Sequence, residues 1–196
     1  MLEARLLVVD NYDSFTHNLV QGLGALGCRM RVLRNDDPAL EAPDLFEAVD
    51  GIVFSPGPGV PSRAGRMPAL LARLAGERPE LPALGICLGL QAMAEAAGGR
   101  LELVEPVHGE ARPLEHGGDG LLAGLPSPLL AGRYHSWAVA APIPAMAEVT
   151  ARSGDGTVMA MRFVDRNWEG LQFHPESVLT PAGPTILEAF ARRCAA

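Results

Sequence analysis

The chain has 196 residues, of which 48% are hydrophobic and 20% charged, and its formal net charge is −7. That balance predicts a single globular domain, residues 1–196, with a sizeable core, and it excludes a disordered chain. The acidic surface argues against a nucleic-acid or anionic-membrane partner, and no apolar run reaches the length of a membrane span. The stretch Met1 to Arg5 leads straight into a strand pattern without the basic and apolar regions of a signal peptide, so a cytoplasmic location is expected.

The first half alternates strands and helices. Leu6 to Val9 reads as a buried strand ending at Asp10, and Ser14 as the cap of a helix running to Leu26, with Gly27 its stop. Arg29 to Leu33 is a second strand and Asp44 to Val49 a short helix. Gly51 to Phe54 is a third strand, closed by the turn Ser55-Pro56-Gly57-Pro58-Gly59. Met67 to Leu74 is helical, and Ala83 to Ile86 is a fourth strand that meets Cys87. This order predicts right-handed crossovers and a mostly parallel sheet, with ligands bound beyond the C-terminal strand ends. Asp10, Ser55 and Cys87 all fall at such ends.

The second half reads as strands with little helix: Arg100 to Val104, Arg133 to Val139, Ala147 to Ala151, Val158 to Phe163 and Gly170 to Phe173. Pro106 to Pro128, rich in Gly and Pro, is expected to be a surface excursion, and Thr185 to Cys194 a closing helix.

Three cysteines, Cys28, Cys87 and Cys194, show no metal-ligand spacing and no CxxC pairing. Cys28 reads as a small packed residue, and Cys194, near the C-terminus, as a residue without a chemical role. Cys87 differs, because Gly85 and Gly89 flank it at the junction of a strand and the helix Leu90 to Ala97. Small neighbours at those positions mark a nucleophile elbow, a tight turn that pushes one side chain out of the backbone.

A thiolate nucleophile needs a base. Of five histidines, His174 stands in Phe173-His174-Pro175-Glu176. Proline after it disfavours helical geometry, so the segment is expected to be extended, with Glu176 on the same side as His174 and able to orient its ring. The alternative is that this segment merely ends a strand; the cysteine elbow favours the catalytic reading. An oxyanion hole needs backbone N–H donors. Leu88 follows the nucleophile, and Gly59 offers a second N–H from the glycine-rich turn. Taken alone, that turn is a weak signal.

Together these motifs resemble the class I glutamine amidotransferases of the triad type. Asp10 to Thr16, Arg34-Asn35-Asp36, His108-Gly109, Arg133 to Ser136 and Glu176 to Thr180 narrow the resemblance to the glutaminase subunits (component II) of anthranilate and aminodeoxychorismate synthases. The resemblance spans essentially the whole chain. It implies a flavodoxin-like α/β fold, a mostly parallel central sheet flanked by helices, with additional strands in the C-terminal half. It implies hydrolysis of L-glutamine with Cys87 as nucleophile, His174 as acid and base, and Glu176 as its orienter. Gly59 and Leu88 would form the oxyanion hole. Gly57, Pro58, Gly59, Gln91, Ser136 and Trp137 would hold glutamine.

No metal or cofactor is implied in this chain; Mg2+ is expected in the partner, a chorismate-binding synthase subunit (component I). The resemblance therefore implies a hetero-oligomer that delivers ammonia to chorismate. The segment Gly59 to Pro68 leans toward the tryptophan version over the folate version or a chain serving both. Two residues depart from the subfamily: Leu90 stands where His is usual, which leaves His174 as the base, and Glu110 where Lys is usual. The rival readings are a γ-glutamyl peptidase and an idle binding scaffold. The Asp10 to Thr16 match disfavours the first, and the presence of all three triad residues disfavours the second.

Overall fold

A computed structural model describes residues 2–195. In chain order its strands are β1 (Arg5–Asp10), β2 (Arg29–Arg34), β3 (Gly51–Phe54), β4 (Ala83–Ile86), β5 (Leu101–His116), β6 (Leu129–Val139), β7 (Ala147–Ser153), β8 (Val158–Phe163) and β9 (Trp168–Leu171). The helices are α1 (Thr16–Ala25), α2 (Met67–Glu77), α3 (Leu88–Ala96) and α4 (Gly183–Cys194). The strands form one sheet in the order β2-β1-β3-β4-β9-β8-β7-β5-β6. From β2 to β9 neighbours are parallel, and from β9 to β6 they are antiparallel. The expected mixed architecture is thus present.

Alternation along β1 explains the layers. Leu6 and Val8 pack with Leu19, Leu23, Ile186 and Phe190, the α1 and α4 side. Leu7 and Val9 pack with Leu70, Leu71, Leu74 and Met93, the α2 and α3 side. Successive strand residues face opposite sides, so a strand covered on both faces reads as a continuous apolar run. None of the described helices is long and apolar enough to cross a membrane.

Four local expectations need correction. Ser14 does not cap α1: Phe15 precedes the helix without a side-chain cap. The turn is organised instead by the Asp10 carboxylate, which accepts from the Tyr12 and Asp13 amides and the Thr16 hydroxyl, and by Asp13, which accepts from the Phe15 amide. Residues 44–49 are turns, not a helix, because the Leu45 and Glu47 amides bond three residues back. Those turns still deliver Leu45, Phe46 and Val49 to the core.

The third correction is the largest. Residues 106–116 are no excursion but the continuation of β5, paired with β6. Register shifts fall at Leu103/Val107 and His108/Glu110, so Pro106 and Gly109 mark irregularities within a strand. Fourth, Gln172 to His174 leave the ladder after β9, and the Ser177 amide bonds to the His174 carbonyl. His-Pro-Glu is therefore a turn rather than an extended segment.

The β5–β6 ribbon returns to the parallel strands. The His174 amide bonds to the Gly132 carbonyl of β6 at 3.0 Å. The Thr180 hydroxyl accepts from the Gly132 amide (2.9 Å) and donates to the His174 carbonyl (2.7 Å). This stitch brings β6 against the ends of β4 and β9.

Candidate active site

The turn from β4 into α3 sets Cys87 at φ +52°, ψ −102°, a conformation that L-residues rarely adopt. It is held from both sides: the Cys87 amide donates to the Leu171 carbonyl at 2.7 Å, and the Cys87 carbonyl accepts from the Gln91 amide at 3.0 Å. The flanking glycines are needed for space. A Cβ on Gly85 would come within 2.6 Å of the Gly89 backbone, and one on Gly89 within 2.3 Å of the Phe54 carbonyl oxygen. The small-residue pattern thus follows from α3 lying directly on β3 and β4.

The facing turn, Ser55 to Gly59, is fixed by a buried polar network. The Asn11 amide donates to the Ser55 hydroxyl (2.9 Å), the Asn11 side chain donates to the Ser55 carbonyl (2.8 Å), and Asn35 donates to Asn11 Oδ1 (3.0 Å). Gly57 packs so close to Leu88 that a Cβ would lie 2.7 Å from Leu88 Cδ2. Gly59 has φ +80° with open space beside it, so glycine is favoured there by the backbone rather than by crowding.

A cavity of about 280 Å³ opens between these pieces. Its lining is Cys87, the Gly57-Pro58-Gly59 turn, Gln91 and the run Tyr134 to Trp137 of β6. Each residue expected to hold glutamine lies on this wall. Leu88, His174 and Glu176 are not part of this lining. Two larger clefts, about 550 Å³ between α1 and α4 and about 480 Å³ at Glu115 and Arg152, do not reach Cys87.

His174 is 2% exposed, and its Nδ1 lies 2.6 Å from Glu176 Oε1, whose side chain is fully buried. Its Nε2 has no partner in hydrogen-bonding geometry, yet the Cys87 sulfur is near enough to act on the ring's charge. Burial opposes the imidazolium, but Cys87 and Glu176 together outweigh it and raise the His174 pKa to about 10. The aromatic rings of Tyr134 and Phe15 stand edge-on to His174, with centroids 4.9 and 5.3 Å away. The fold therefore pairs a thiol on a strained elbow with a buried imidazole that favours its charged form.

Several contributors went unrecognised in the sequence. Gln172 donates to the Cys87 sulfur at 3.4 Å and accepts from Gln91 at 3.1 Å. A glutamine inside the apolar run before His174 was its only trace. Tyr134 and His135 lay within a motif noted only for resemblance, as did Asn11 and Asn35. Leu90, one of the two departures, is fully buried against Gly170 of β9. Glu110 is exposed and pairs with Arg112 at 2.7 Å. The other two thiols are buried in the core; burial, and then Cys28, pushes Cys194 up to about 12.

The mixed sheet carries a cysteine elbow opposite a glycine-rich turn, and the family description for glutamine amidotransferase class-I matches residues 7–194. The chain belongs to that family. It is similar to anthranilate synthase component 2 of Thermus thermophilus (48% identity, covering 95% of this chain and 91% of the relative). It is likewise similar to anthranilate synthase component 2 of Mycobacterium tuberculosis (43% identity, 97% and 82%). An aminodeoxychorismate synthase of Streptomyces griseus is 49% identical over 95% of this chain, which spans only 25% of that longer protein. Among solved structures, a Thermoplasma acidophilum protein described as one of the subunits of GMP synthase superposes with TM-score 0.86 at 25% identity, covering 98% of this chain and 94% of that one.

Proposed function

We propose that this chain is the glutaminase subunit of a chorismate-amidating synthase, supplying ammonia for anthranilate formation. The supporting observation is that one cavity gathers Cys87, the Gly57 to Gly59 turn, Gln91, Ser136 and Trp137. The lean toward anthranilate rests on relatives named as component 2 that match nearly end to end.

In this reading Cys87 thiolate attacks the side-chain amide carbon of glutamine. The amides of Leu88 and Gly59 hold the resulting oxyanion, and losing one such donor costs about 3–4 kcal/mol in the barrier. His174, charged through its contact with Glu176, gives its proton to the departing ammonia. A glutamyl thioester remains on Cys87. Neutral His174 then takes a proton from water, which attacks the thioester and releases glutamate. Ammonia passes to the chorismate-binding partner, where Mg2+ would serve the second reaction.

The test is Cys87→Ala in the complex with the synthase subunit. Glutamine-dependent product formation is lost while ammonia-dependent formation persists. Unimpaired use of glutamine by that variant defeats the assignment. A second reading, the aminodeoxychorismate version, is favoured by the 49% identity to the Streptomyces griseus protein. Identifying the product formed from chorismate and glutamine separates the two.

A further inference from the structure

A line of hydrogen bonds runs from the surface to the sulfur. Asp155, in the turn between β7 and β8, accepts from Arg133 Nη1 at 3.1 Å, while its other oxygen is held by the Ser153 hydroxyl (2.6 Å) and the Thr157 amide (3.0 Å). Arg133 is only 2% exposed, and its Nε donates to His135 Nε2 at 3.2 Å. His135 Nδ1 lies 3.0 Å from the Trp137 carbonyl. That carbonyl also accepts from Gln91 Nε2 at 2.9 Å, and the same nitrogen donates to Gln172, whose amide reaches Cys87.

The donors and acceptors along this line permit only one arrangement. Arg is always a donor, so His135 Nε2 must be the unprotonated nitrogen and Nδ1 must carry the proton. Nδ1–H then donates to the Trp137 carbonyl, whose two lone pairs are both taken. The Gln91 NH2 donates to the same oxygen, so holding the Trp137 carbonyl in place also holds the Gln91 amide. Burying a guanidinium is costly unless it is paired, and the pairing here serves the cavity wall rather than the core.

We propose that Asp155, Arg133 and His135 are positioning residues for glutamine, fixing the Trp137 carbonyl and the Gln91 amide from outside the cavity. The proposal rests on the glutaminase reading above. Burial, and next the Arg133 charge, lowers the His135 pKa to about 4; nearby His174 acts in the same direction and Asp155 against it. His135 is therefore neutral where the enzyme works, as the line requires.

Asp155 is the place to test this, because its side chain is 47% exposed and its replacement spares the core. In the complex with the synthase subunit, Asp155→Asn raises the KM for glutamine about tenfold, the size of one lost hydrogen bond, with kcat within about twofold. Asp155→Glu returns KM toward the wild-type value, and ammonia-dependent synthesis is unchanged in both. Nitrogen-15 NMR of histidine-labelled wild-type chain shows His135 with its proton on Nδ1, and Asp155→Asn mixes the two tautomers. An unchanged KM in Asp155→Asn, or wild-type His135 carrying its proton on Nε2, overturns the proposal. A wild-type complex that hydrolyses no glutamine defeats instead the reading beneath it, and the tautomer measurement still reports on the line of bonds itself.

Discussion

Gly89 of α3 and Phe54 of β3 touch through backbone: a methyl group on Gly89 would lie 2.3 Å from the Phe54 carbonyl oxygen. Nothing flexible can move aside there. Gly89→Ala is expected to destabilise the protein by about 2–3 kcal/mol and to displace the elbow. Denaturant unfolding together with the alkylation rate of Cys87 checks this. A stable variant with unaltered alkylation would mean that α3 has more freedom over β3 than the packing indicates.

Glu176→Gln keeps the size of the side chain and removes its charge. His174 then loses the anion 2.6 Å from Nδ1, and its affinity for a proton falls. Glutamine-dependent kcat is expected to drop about a hundredfold or more. NMR titration of the histidine ring should show the His174 pKa lowered below its wild-type value. A wild-type His174 titration would show that Glu176 has no hold on the ring.

Thr180→Val removes one hydroxyl that serves two buried backbone groups, the Gly132 amide and the His174 carbonyl. Leaving such groups unpaired costs about 1–3 kcal/mol each. The expected result is a loss of about 2–4 kcal/mol, with faster hydrogen exchange at the His174 amide, which bonds to Gly132. Thr180→Ser should recover most of the stability. A Ser variant as unstable as the Val variant would show that the hydroxyl alone does not account for the loss.

Two histidines give stability opposite pH dependences. His174 rises from 6.5 to about 10 on folding. The native state binds the extra proton between those values, so this contribution is full below pH 6.5 and is lost as pH climbs toward 10. His135 falls from 6.5 to about 4. The unfolded state binds the extra proton there, so stability declines as pH drops from 6.5 toward 4. Unfolding free energy measured across pH should slope down on both sides of mildly acidic to neutral pH, and His135→Gln should flatten the acid side. An acid slope that survives this change would assign it to other groups.

The elbow was legible because it is local: Gly85, Cys87 and Gly89 lie within five residues, and their sizes state the crowding directly. The depth of β3 and β4 was legible from apolar runs. Ser14 misled because capping propensity ignores competition, and Asp10 and Asp13 won the contest for the turn's amides. Pro106 and Gly109 misled because the same residues that end strands also bend them, and only the partner strand β6 decides which. Gln172, His135 and Arg133 could not be read as a group. They meet only after the β5–β6 ribbon curls back, an event of tertiary packing that leaves no spacing rule in the chain.

Leu90 packs on Gly170, where a side chain would meet Leu90 Cδ1 at 2.4 Å. Leu90 belongs to the helix that begins just after Cys87, and Gly170 to β9, after which the chain leads through Gln172 to His174. Sulfur and imidazole thus come from separate pieces of chain, joined by the β4–β9 ladder, the Cys87–Leu171 hydrogen bond and this apolar contact. A lever of one methyl group at position 170 would pry nucleophile from base without touching either, so the reactivity of this thiol is a dimension machined into the core.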